Sequence, residues 1–346
     1  MIITRAPFRL SFAGGGTDLA VYYVPFGGLV VSTAIDRYVY VLLREGKRGA
    51  PVHLISSDAG AYRQGHVGAT PDTAGATHLP WAVLDYFGVR DSVEVFIASQ
   101  VPSGTGLGSS SALAVALIQA LAAYTGRAML PRQVADLACT IEIEHLGSPI
   151  GKQDQYASAL GGFNEITFSA DGVGVRPLKL SAATREALGP RLMLFFTGVR
   201  RDANAILSQQ RQASESRNTQ TIESLHALKE LAIQLVRVLE EGDLDAFGPL
   251  LDQAWQHKQR VSRGISNAFI DHCYDTARRA GARGGKIAGA GGGGFLLLDC
   301  LPEHQPTVTN ALGPLGLEPF AFGFEQEPAG LVPCFPAGPG ASGDGR

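Results

Sequence analysis

The chain has 346 residues, of which 45% are hydrophobic and 18% are charged, and this balance indicates a folded protein of one large or two closely packed domains. A formal net charge of −3 without a run of lysines or arginines argues against a nucleic-acid partner. No signal-peptide pattern, transmembrane-length apolar run or CxxC motif is found, which predicts a cytoplasmic protein without membrane contact, disulfide framework or zinc site.

The first of three glycine clusters follows a predicted strand near the start of the chain. The strand spans residues 2–12 and leads into FAGGGTD, and an apolar, β-branched stretch at 29–45 also predicts strand. Asp18 closes the cluster, where its carboxylate oxygens suit sugar hydroxyls, although aspartate after glycines is also typical of a simple turn. Arg9, inside the strand, is either a site residue or a surface position.

The second cluster, PSGTGLGSSSA, begins at residue 102 and joins a predicted strand at 93–99 to an Ala- and Leu-rich predicted helix. At such a junction backbone N–H groups and the helix dipole converge on an anion, and glycine lets a phosphate approach the main chain. The serines can cap the helix, contact phosphate or ligate a metal. The segment lacks the lysine of a Walker A loop and the GxGxxG spacing of a dinucleotide site, and the alternative is a plain turn before a capped helix.

Acidic side chains follow in two places. A helix is predicted over 131–146, and Glu142 and Glu144 lie near its end, where a negative charge opposes the helix dipole and a bound cation would explain it. In GSPIGKQDQ, Asp154 lies beside Lys152 after a glycine turn, so its carboxylate would stay ionised and could accept a proton from a hydroxyl. The alternatives are solvent-facing glutamates and an aspartate that only caps a helix.

The remaining segments complete an α+β pattern. Strands are predicted at 163–168 and 191–198, and helices from about 204 to 281. The third glycine cluster, KIAGAGGGGF, begins at residue 286 and leads into a last strand, FLLLDC. The segment 328–346 is rich in Pro and Gly, so we expect a largely mobile tail.

Three of these segments, in chain order, resemble the motifs of the GHMP small-molecule kinases. APFRLSFAGGGTD, PSGTGLGSSSA and KIAGAGGGGF match the three motifs, and GSPIGKQDQ matches the catalytic segment GxPxGxxDQ of the family's sugar kinases. The spacing fits from about residue 2 to residue 326. The resemblance implies a two-lobed α+β GHMP fold, with a ribosomal-protein-S5-like ATP-binding domain at 1–190 and a ferredoxin-like C-terminal domain at 191–327.

The resemblance also implies a role for each motif. Asp154 would be the base towards the acceptor hydroxyl, with Arg9 beside it to keep it ionised and to neutralise the transferring phosphate. Ser110 and Glu142 would ligate Mg²⁺, with Glu144 as the alternative carboxylate. The residues implied in binding ATP are Pro102, Ser103, Gly104, Thr105, Gly106, Leu107, Gly108, Ser109, Ser110 and Ser111. Those implied in binding the substrate are Gly15, Gly16, Thr17, Asp18, Lys152, Arg201, Gly291 and Gly292.

Within the family, AGGGTDL, IGKQDQYASALGG and FFTGVRR are most similar to D-glycero-D-manno-heptose 7-phosphate kinases and to the kinase half of L-fucokinases. Gly15 and Gly16 stand where the galactokinase pattern GEHTD has Glu and His, so galactose is not expected and room is left for a larger acceptor. A substrate phosphate would need basic side chains, and the candidates are Lys152, Arg200, Arg201, Arg283 and Lys286.

The implied activity is therefore transfer of a phosphoryl group from ATP, with Mg²⁺, to the anomeric hydroxyl of heptose 7-phosphate. One alternative is an L-fucokinase-like or other sugar-1-kinase. An alternative of another class is a non-catalytic sugar and nucleotide sensor on the same fold, although such sensors usually lose the base or the phosphate loop. The sequence predicts a small-molecule sugar phosphate partner and indicates no oligomeric state.

Overall fold

A computed structural model of the chain describes residues 1–57, 61–65, 78–199 and 203–333. Within these ranges the strands form a large mixed sheet and a smaller antiparallel one. The first seven strands belong to the large sheet: β1 (Ile2–Ala13), β2 (Gly28–Glu45), β3 (Val52–Ser56), β4 (Ala61–Gly65), β5 (Val93–Ser99), β6 (Phe163–Ser169) and β7 (Gly172–Pro177). The next four form the small sheet: β8 (Leu192–Phe196), β9 (Gly284–Ile287), β10 (Phe295–Asp299) and β11 (Glu318–Pro319).

The long strand β2 organises the large sheet. β1 pairs antiparallel along one edge of β2, while the other edge pairs with β6 over its first half and with β5 over its second half. The β1–β2 register shifts between Pro7 and Phe8 and again between Ser11 and Ala13. Such irregularities bend a strand and re-aim its side chains, and these two lie on either side of Arg9.

Six helices precede β8 in the described part of the chain: α1 (Ala20–Phe26), α2 (His78–Tyr86), α3 (Ser109–Tyr124), α4 (Pro131–Cys139), α5 (Gln153–Leu160) and α6 (Ala182–Leu188). The central helix α3 packs against β1 and β2 and against α5. Most of its side chains between Ser111 and Ala122 are buried, as its run of Ala, Leu, Val and Ile requires of a helix without a polar face. α4 continues into a π-helical turn at Thr140–His145.

The helical block comprises α7 (Ala203–Glu215), α8 (Thr219–Glu241), α9 (Leu244–Val261), α10 (Ala268–Arg279) and, beyond β10, α11 (Gln305–Leu312). Asn218, Asp243 and Asn267 cap α8, α9 and α10 by accepting hydrogen bonds from backbone N–H groups in the first turn. α9 packs closely on β9: a Cβ at Gly284 would lie only 1.8 Å from the carbonyl oxygen of Gly248, so only glycine permits this approach. None of the described helices is both long and apolar enough to cross a membrane.

The end of the described chain returns to the large sheet. β12 (Phe324–Glu325) pairs with β2, and β13 (Gly330–Leu331) pairs with β1. Gly330 and Leu331, inside the segment predicted as a mobile tail, are thus held in the sheet, and the part of that prediction beyond residue 333 lies outside the described residues. The domain boundary at 190 stays a prediction.

Candidate active site

A cavity of about 600 Å³ brings the three glycine clusters together. Gly15 and Gly16 line it from the first cluster, and Gly289 and Ala290 line it from the third. The second cluster contributes Ser103, Gly104, Gly106, Gly108, Ser109, Ser110 and Ser111 to the same wall. Motifs that are far apart in the sequence therefore face one space.

The wall also holds a close ion pair between Arg9 and Asp154. Arg9 donates from Nε to Asp154 Oδ1 at 2.7 Å and from Nη2 to Asp154 Oδ2 at 2.6 Å, a two-point contact between β1 and the first turn of α5. Its remaining Nη1 donates to the carbonyl oxygen of Gly106 at 2.7 Å. Arg9 is 3% exposed and lines the cavity, so it is not a surface position. The pair fixes the carboxylate orientation and ties it to the second glycine cluster.

The second cluster turns tightly beneath this pair. Gly104, Gly106 and Gly108 have φ values of 76°, 89° and 78°, and a Cβ at Gly108 would lie 3.2 Å from Asp154 Oδ2. Glycine is therefore needed for both backbone shape and proximity to Asp154. Pro102, Thr105 and Leu107, which the resemblance implies in ATP binding, do not line the cavity but hold the loop in shape. The Thr105 hydroxyl donates to the Pro102 carbonyl oxygen, and the Leu107 carbonyl oxygen accepts from the Arg9 N–H.

Glu142 and Glu144 have different environments. The π-helical turn directs Glu142 inwards, where it is 1% exposed and accepts hydrogen bonds from Ser110 Oγ and from Gln155 Nε2, the latter at 2.7 Å. Glu144 is exposed. Burial raises the pKa of the Glu142 carboxyl, partly offset by its hydrogen bonds. No lysine or arginine within the described ranges forms an ion pair with it, so this buried carboxylate and the Ser110 hydroxyl are an oxygen donor set for a hard cation.

The first cluster provides a second buried carboxylate. Asp18 is 3% exposed and accepts hydrogen bonds from Gly16 N at 2.9 Å and Gln153 N at 3.3 Å. Burial raises its pKa, and the nearby Asp154 charge adds to the effect. Ser11 Oγ and Gln153 Oε1 face the same half of the cavity and are buried without a hydrogen-bond partner among the described residues, so this half presents polar atoms that sugar hydroxyls could satisfy.

Several residues implied in substrate binding lie elsewhere. The Thr17 hydroxyl donates to the Gly14 and Leu29 carbonyls and holds the loop. Gly291 and Gly292 pack on the backbone of Ile265: the N–H of Gly292 donates to the Ile265 carbonyl oxygen, and a Cβ at Gly291 would lie 2.5 Å from the same oxygen. Neither glycine lines the cavity. From the third cluster, Gly289 and Ala290 line the cavity instead, and a role of Gly291 and Gly292 in substrate binding stays a prediction.

Three of the basic candidates for a substrate phosphate, Lys152, Arg283 and Lys286, do not line this cavity. Lys152 Nζ lies over the ring of Tyr23, 5.8 Å from its centroid. Arg283 pairs with Asp245, and Lys286 Nζ donates to the Ser11 carbonyl at 2.8 Å. Arg200 and Arg201 lie outside the described residues.

Lys258 and Gln210 are polar residues that the sequence analysis missed, as it also missed Ser11 and Gln153. Lys258 lines the cavity from α9, and Gln210, fully buried on α7, contacts it. A signal was available in α9, where Lys258 lies three residues after buried Trp255 and three before buried Val261, in the middle of the apolar stripe. Burying a lysine among apolar side chains is costly unless polar or charged groups contact its ammonium, so its position in the stripe indicates such contacts.

Two family models match segments of the chain that contribute to the cavity wall. GHMP kinases N terminal domain matches residues 76–162, and GHMP kinases C terminal matches residues 231–313. A D-glycero-alpha-D-manno-heptose 7-phosphate kinase from Campylobacter jejuni is 31% identical over 318 residues, which are 90% of this chain and 93% of that protein. The chain belongs to the GHMP kinase family. The kinase class inferred from the four motifs is thereby confirmed.

Solved GHMP kinase structures share the fold. A D-glycero-D-manno-heptose 1-phosphate kinase from Bacteroides thetaiotaomicron matches with a TM-score of 0.80 at 27% identity, covering 97% of this chain and all of that one. A putative sugar kinase from Campylobacter jejuni matches with a TM-score of 0.76 at 30% identity, covering 96% of this chain and 98% of that one. The predicted GHMP kinase fold is thereby confirmed.

Proposed function

We propose that this GHMP kinase transfers a phosphoryl group from ATP to the anomeric hydroxyl of D-glycero-D-manno-heptose 7-phosphate, forming the 1,7-bisphosphate. The observation that carries the proposal is the Arg9–Asp154 pair, which holds a carboxylate between the second glycine cluster and the polar half of the cavity. The acceptor is inferred from the similarity to the Campylobacter jejuni heptose 7-phosphate kinase along 90% of this chain.

ATP occupies the half of the cavity bordered by the second cluster. Val39, Ile97 and Leu113 provide apolar surface for the adenine ring at this end. The phosphates lie along the start of α3, a sixteen-residue helix whose first N–H groups and dipole favour an anion. The hydroxyls of Ser109, Ser110 and Ser111 border the same path.

Mg²⁺ fits the donors present, because kinases commonly hold this ion with one or two carboxylates together with the substrate phosphates. Glu142 and Ser110 would be the protein ligands, and the charge of the cation would offset the cost of burying the Glu142 carboxylate. When bound, the ion neutralises charge on the phosphates during transfer.

Asp154 accepts the proton of the anomeric hydroxyl while that oxygen forms its bond to the γ-phosphorus and the bond from phosphorus to the ADP oxygen breaks. Arg9 orients the Asp154 carboxylate through two hydrogen bonds and places positive charge beside the path of transfer. Asp18, Ser11 and Gln153 hold sugar hydroxyls on the acceptor side.

A steady-state comparison of acceptors tests the assignment. Purified protein with ATP and Mg²⁺ is assayed for ADP release with heptose 7-phosphate, the unphosphorylated heptose, L-fucose and D-galactose, and the product is identified by phosphorus NMR. The highest kcat/KM is expected for heptose 7-phosphate. An equal or higher value for L-fucose would favour the alternative raised by a bifunctional fucokinase/GDP-fucose pyrophosphorylase from Arabidopsis thaliana, 28% identical over 84% of this chain and 29% of its own length. ATP binding without turnover of any sugar would favour a sensor.

A further inference from the structure

Lys286, which the sequence analysis raised as a candidate for a substrate phosphate, lies behind the cavity wall. It belongs to β9 of the small sheet and is 5% exposed. Its Nζ donates to the carbonyl oxygens of Ser11 at 2.8 Å and of Phe12 at 3.4 Å, near the end of β1 in the large sheet. The first residue of the third glycine cluster therefore contacts the strand that leads into the first cluster.

The two carbonyl groups belong to a bulge in β1. The β1–β2 register advances by two residues on β1, from Ser11 to Ala13, against one residue on β2, so that Phe12 is an extra residue. A bulge of this kind disrupts the hydrogen-bond ladder, and a buried carbonyl group there needs a donor from elsewhere. The amino group of Lys286 carries at least two N–H bonds whether it is charged or neutral, so it can serve both carbonyl groups in either state.

The residues that precede the bulge belong to the candidate active site. Arg9 and Ser11 both line the cavity, as alternate residues of a strand share one face. Arg9 holds Asp154 by two hydrogen bonds, and Ser11 Oγ lies 3.6 Å from the Cβ position of Gly15 in the acceptor half. A displacement of the main chain at the bulge would therefore be transmitted to the group that orients the base and to a wall of the acceptor half.

Other contacts hold β1 in the fold at this point. The Phe12 ring is fully buried and packs edge-on against Phe247 of α9, with 5.4 Å between the ring centroids. The N–H of Arg9 donates to the Leu107 carbonyl oxygen at 3.1 Å. Because these contacts do not involve Lys286, the loss of its amino group should loosen the bulge without unfolding the strand.

We propose that Lys286 is a positioning residue for phosphoryl transfer, which holds the bulge of β1 so that Ser11 and Arg9 face the reacting groups. Its side chain lies outside the cavity wall, so it acts through these two residues and not by contact with a substrate. The inference rests on the proposed function, because it takes Asp154 as the base that Arg9 orients and Ser11 as a contact of the acceptor. Its effects should fall on the acceptor and on turnover, with nucleotide affinity little changed.

The test uses Lys286→Met, which removes the donors and keeps the side-chain length, together with Ser11→Ala and the double variant. Lys286→Gln, whose amide nitrogen is one bond closer to the main chain and reaches the carbonyl oxygens poorly, repeats the test should Lys286→Met fail to fold. Lys229→Met is the matched control, since Lys229 on α8 also donates to a backbone carbonyl, that of Phe26 in α1.

Three measurements are made on each variant. Hydrogen exchange, followed by mass spectrometry without substrates, compares residues 8–18 with helix α4 as an internal reference. Titration with a fluorescent ATP analogue measures nucleotide affinity, and steady-state assays give kcat and KM for heptose 7-phosphate. Thermal melting shows whether each variant is folded.

In Lys286→Met, exchange in residues 8–18 should be faster by roughly tenfold, as the loss of buried hydrogen bonds implies, while exchange in α4 is unchanged. The kcat/KM for the acceptor should fall roughly 10- to 100-fold, the effect of a small misplacement of groups that position the reactants. ATP affinity should change less than about threefold, and the loss in kcat/KM should be smaller when Ser11 is already alanine, because residues that act together are not additive. Lys229→Met should resemble wild type.

Unchanged exchange in residues 8–18, equal losses for ATP and the acceptor, or an undiminished loss in the Ser11→Ala background would overturn the inference. Failure of both Lys286 variants to fold would also overturn it, because the role of the side chain would then be to stabilise the fold as a whole. Faster exchange confined to residues 8–18, in a protein whose wild type phosphorylates none of the sugars, would refute the proposed function and support the hold of Lys286 on the bulge.

Discussion

Gly294 packs directly against the carbonyl group of Thr105, so that the third glycine cluster supports the second from behind. Phe295 N–H donates to the same carbonyl oxygen at 3.2 Å, and a Cβ at Gly294 would lie 2.1 Å from it. Gly294 also has a φ of +87°, a backbone conformation that residues with a side chain rarely adopt. The shape of the second cluster thus depends on a glycine nearly two hundred residues later in the chain.

Gly294→Ala should damage both stability and nucleotide binding. The left-handed backbone costs about 1–2 kcal/mol for alanine, and the clash with Thr105 adds roughly 1–3 kcal/mol while pushing the loop towards the cavity. Gly316→Ala is the matched control, because Gly316 has a φ of +82° with no atom within 4 Å of its Cβ position. Chemical denaturation and the KM for ATP measure the two effects. Equal behaviour of the two variants would contradict the supporting role of Gly294.

Asp154→Asn should lower kcat by roughly 10²- to 10⁴-fold, because an amide cannot accept the hydroxyl proton, while ATP affinity changes little. The amide keeps one acceptor oxygen towards Arg9, but its NH2 group cannot accept the second hydrogen bond that Arg9 donates to the carboxylate. Asp171→Asn, at an exposed turn between β6 and β7, controls for the loss of a carboxylate. Titration with a fluorescent ATP analogue measures nucleotide binding, and a separate steady-state assay measures turnover. Near wild-type turnover of the Asp154→Asn variant would exclude Asp154 as the base.

Glu142→Gln should raise the Mg²⁺ concentration needed for half-maximal activity by about tenfold or more, the size of effect seen when a metal site is perturbed. Exposed Glu144→Gln should leave the Mg²⁺ titration unchanged. Because burial raises the pKa of Glu142, the unfolded chain binds fewer protons at this residue above the ordinary glutamate pKa, and stability falls as pH rises towards the folded-state value. The metal-free Glu142→Gln protein should therefore be at least as stable as wild type at neutral pH, and a destabilised variant would argue against this reading of the site.

Lys286 should make stability depend on pH in the alkaline range. Burial, reinforced by the charges of Lys258 and Arg9, lowers its pKa to about 7, while a lysine in the unfolded chain titrates near 10.4. Between these values the unfolded chain binds more protons, so the free energy of unfolding rises with pH, and below pH 7 the burial penalty is fully present. Denaturation curves of wild type and Lys286→Met from pH 6.5 to 10 should converge or cross as pH rises, whereas parallel curves would contradict the shifted pKa.

The sequence predicted the order of elements well because their signals are local. Apolar, β-branched runs predicted β1, β2, β5, β6, β8 and β10, and each was found at or within a few residues of its predicted range. Helices α8, α9 and α10 lie within the segment from about 204 to 281 that was predicted to be helical, and Gly242 caps the end of α8. The long helix predicted over 131–146 was less accurate, because its second half is a π-helical turn whose hydrogen-bond pattern leaves no periodic signature in so short a segment.

The sequence by itself determined that this protein is a phosphotransferase-like α+β chain with three glycine clusters and a carboxylate after a glycine turn. Only the tertiary structure decided which side chains meet there. It turned Glu142 inwards and Glu144 outwards, packed Gly291 on Ile265, and brought Lys258 to the first cluster from 243 positions away. These orientations and contacts depend on how distant segments pack against each other, where the close approach at a single glycine can be limiting. The hydrophobic periodicity of the sequence reports only local structure, so it does not predict them.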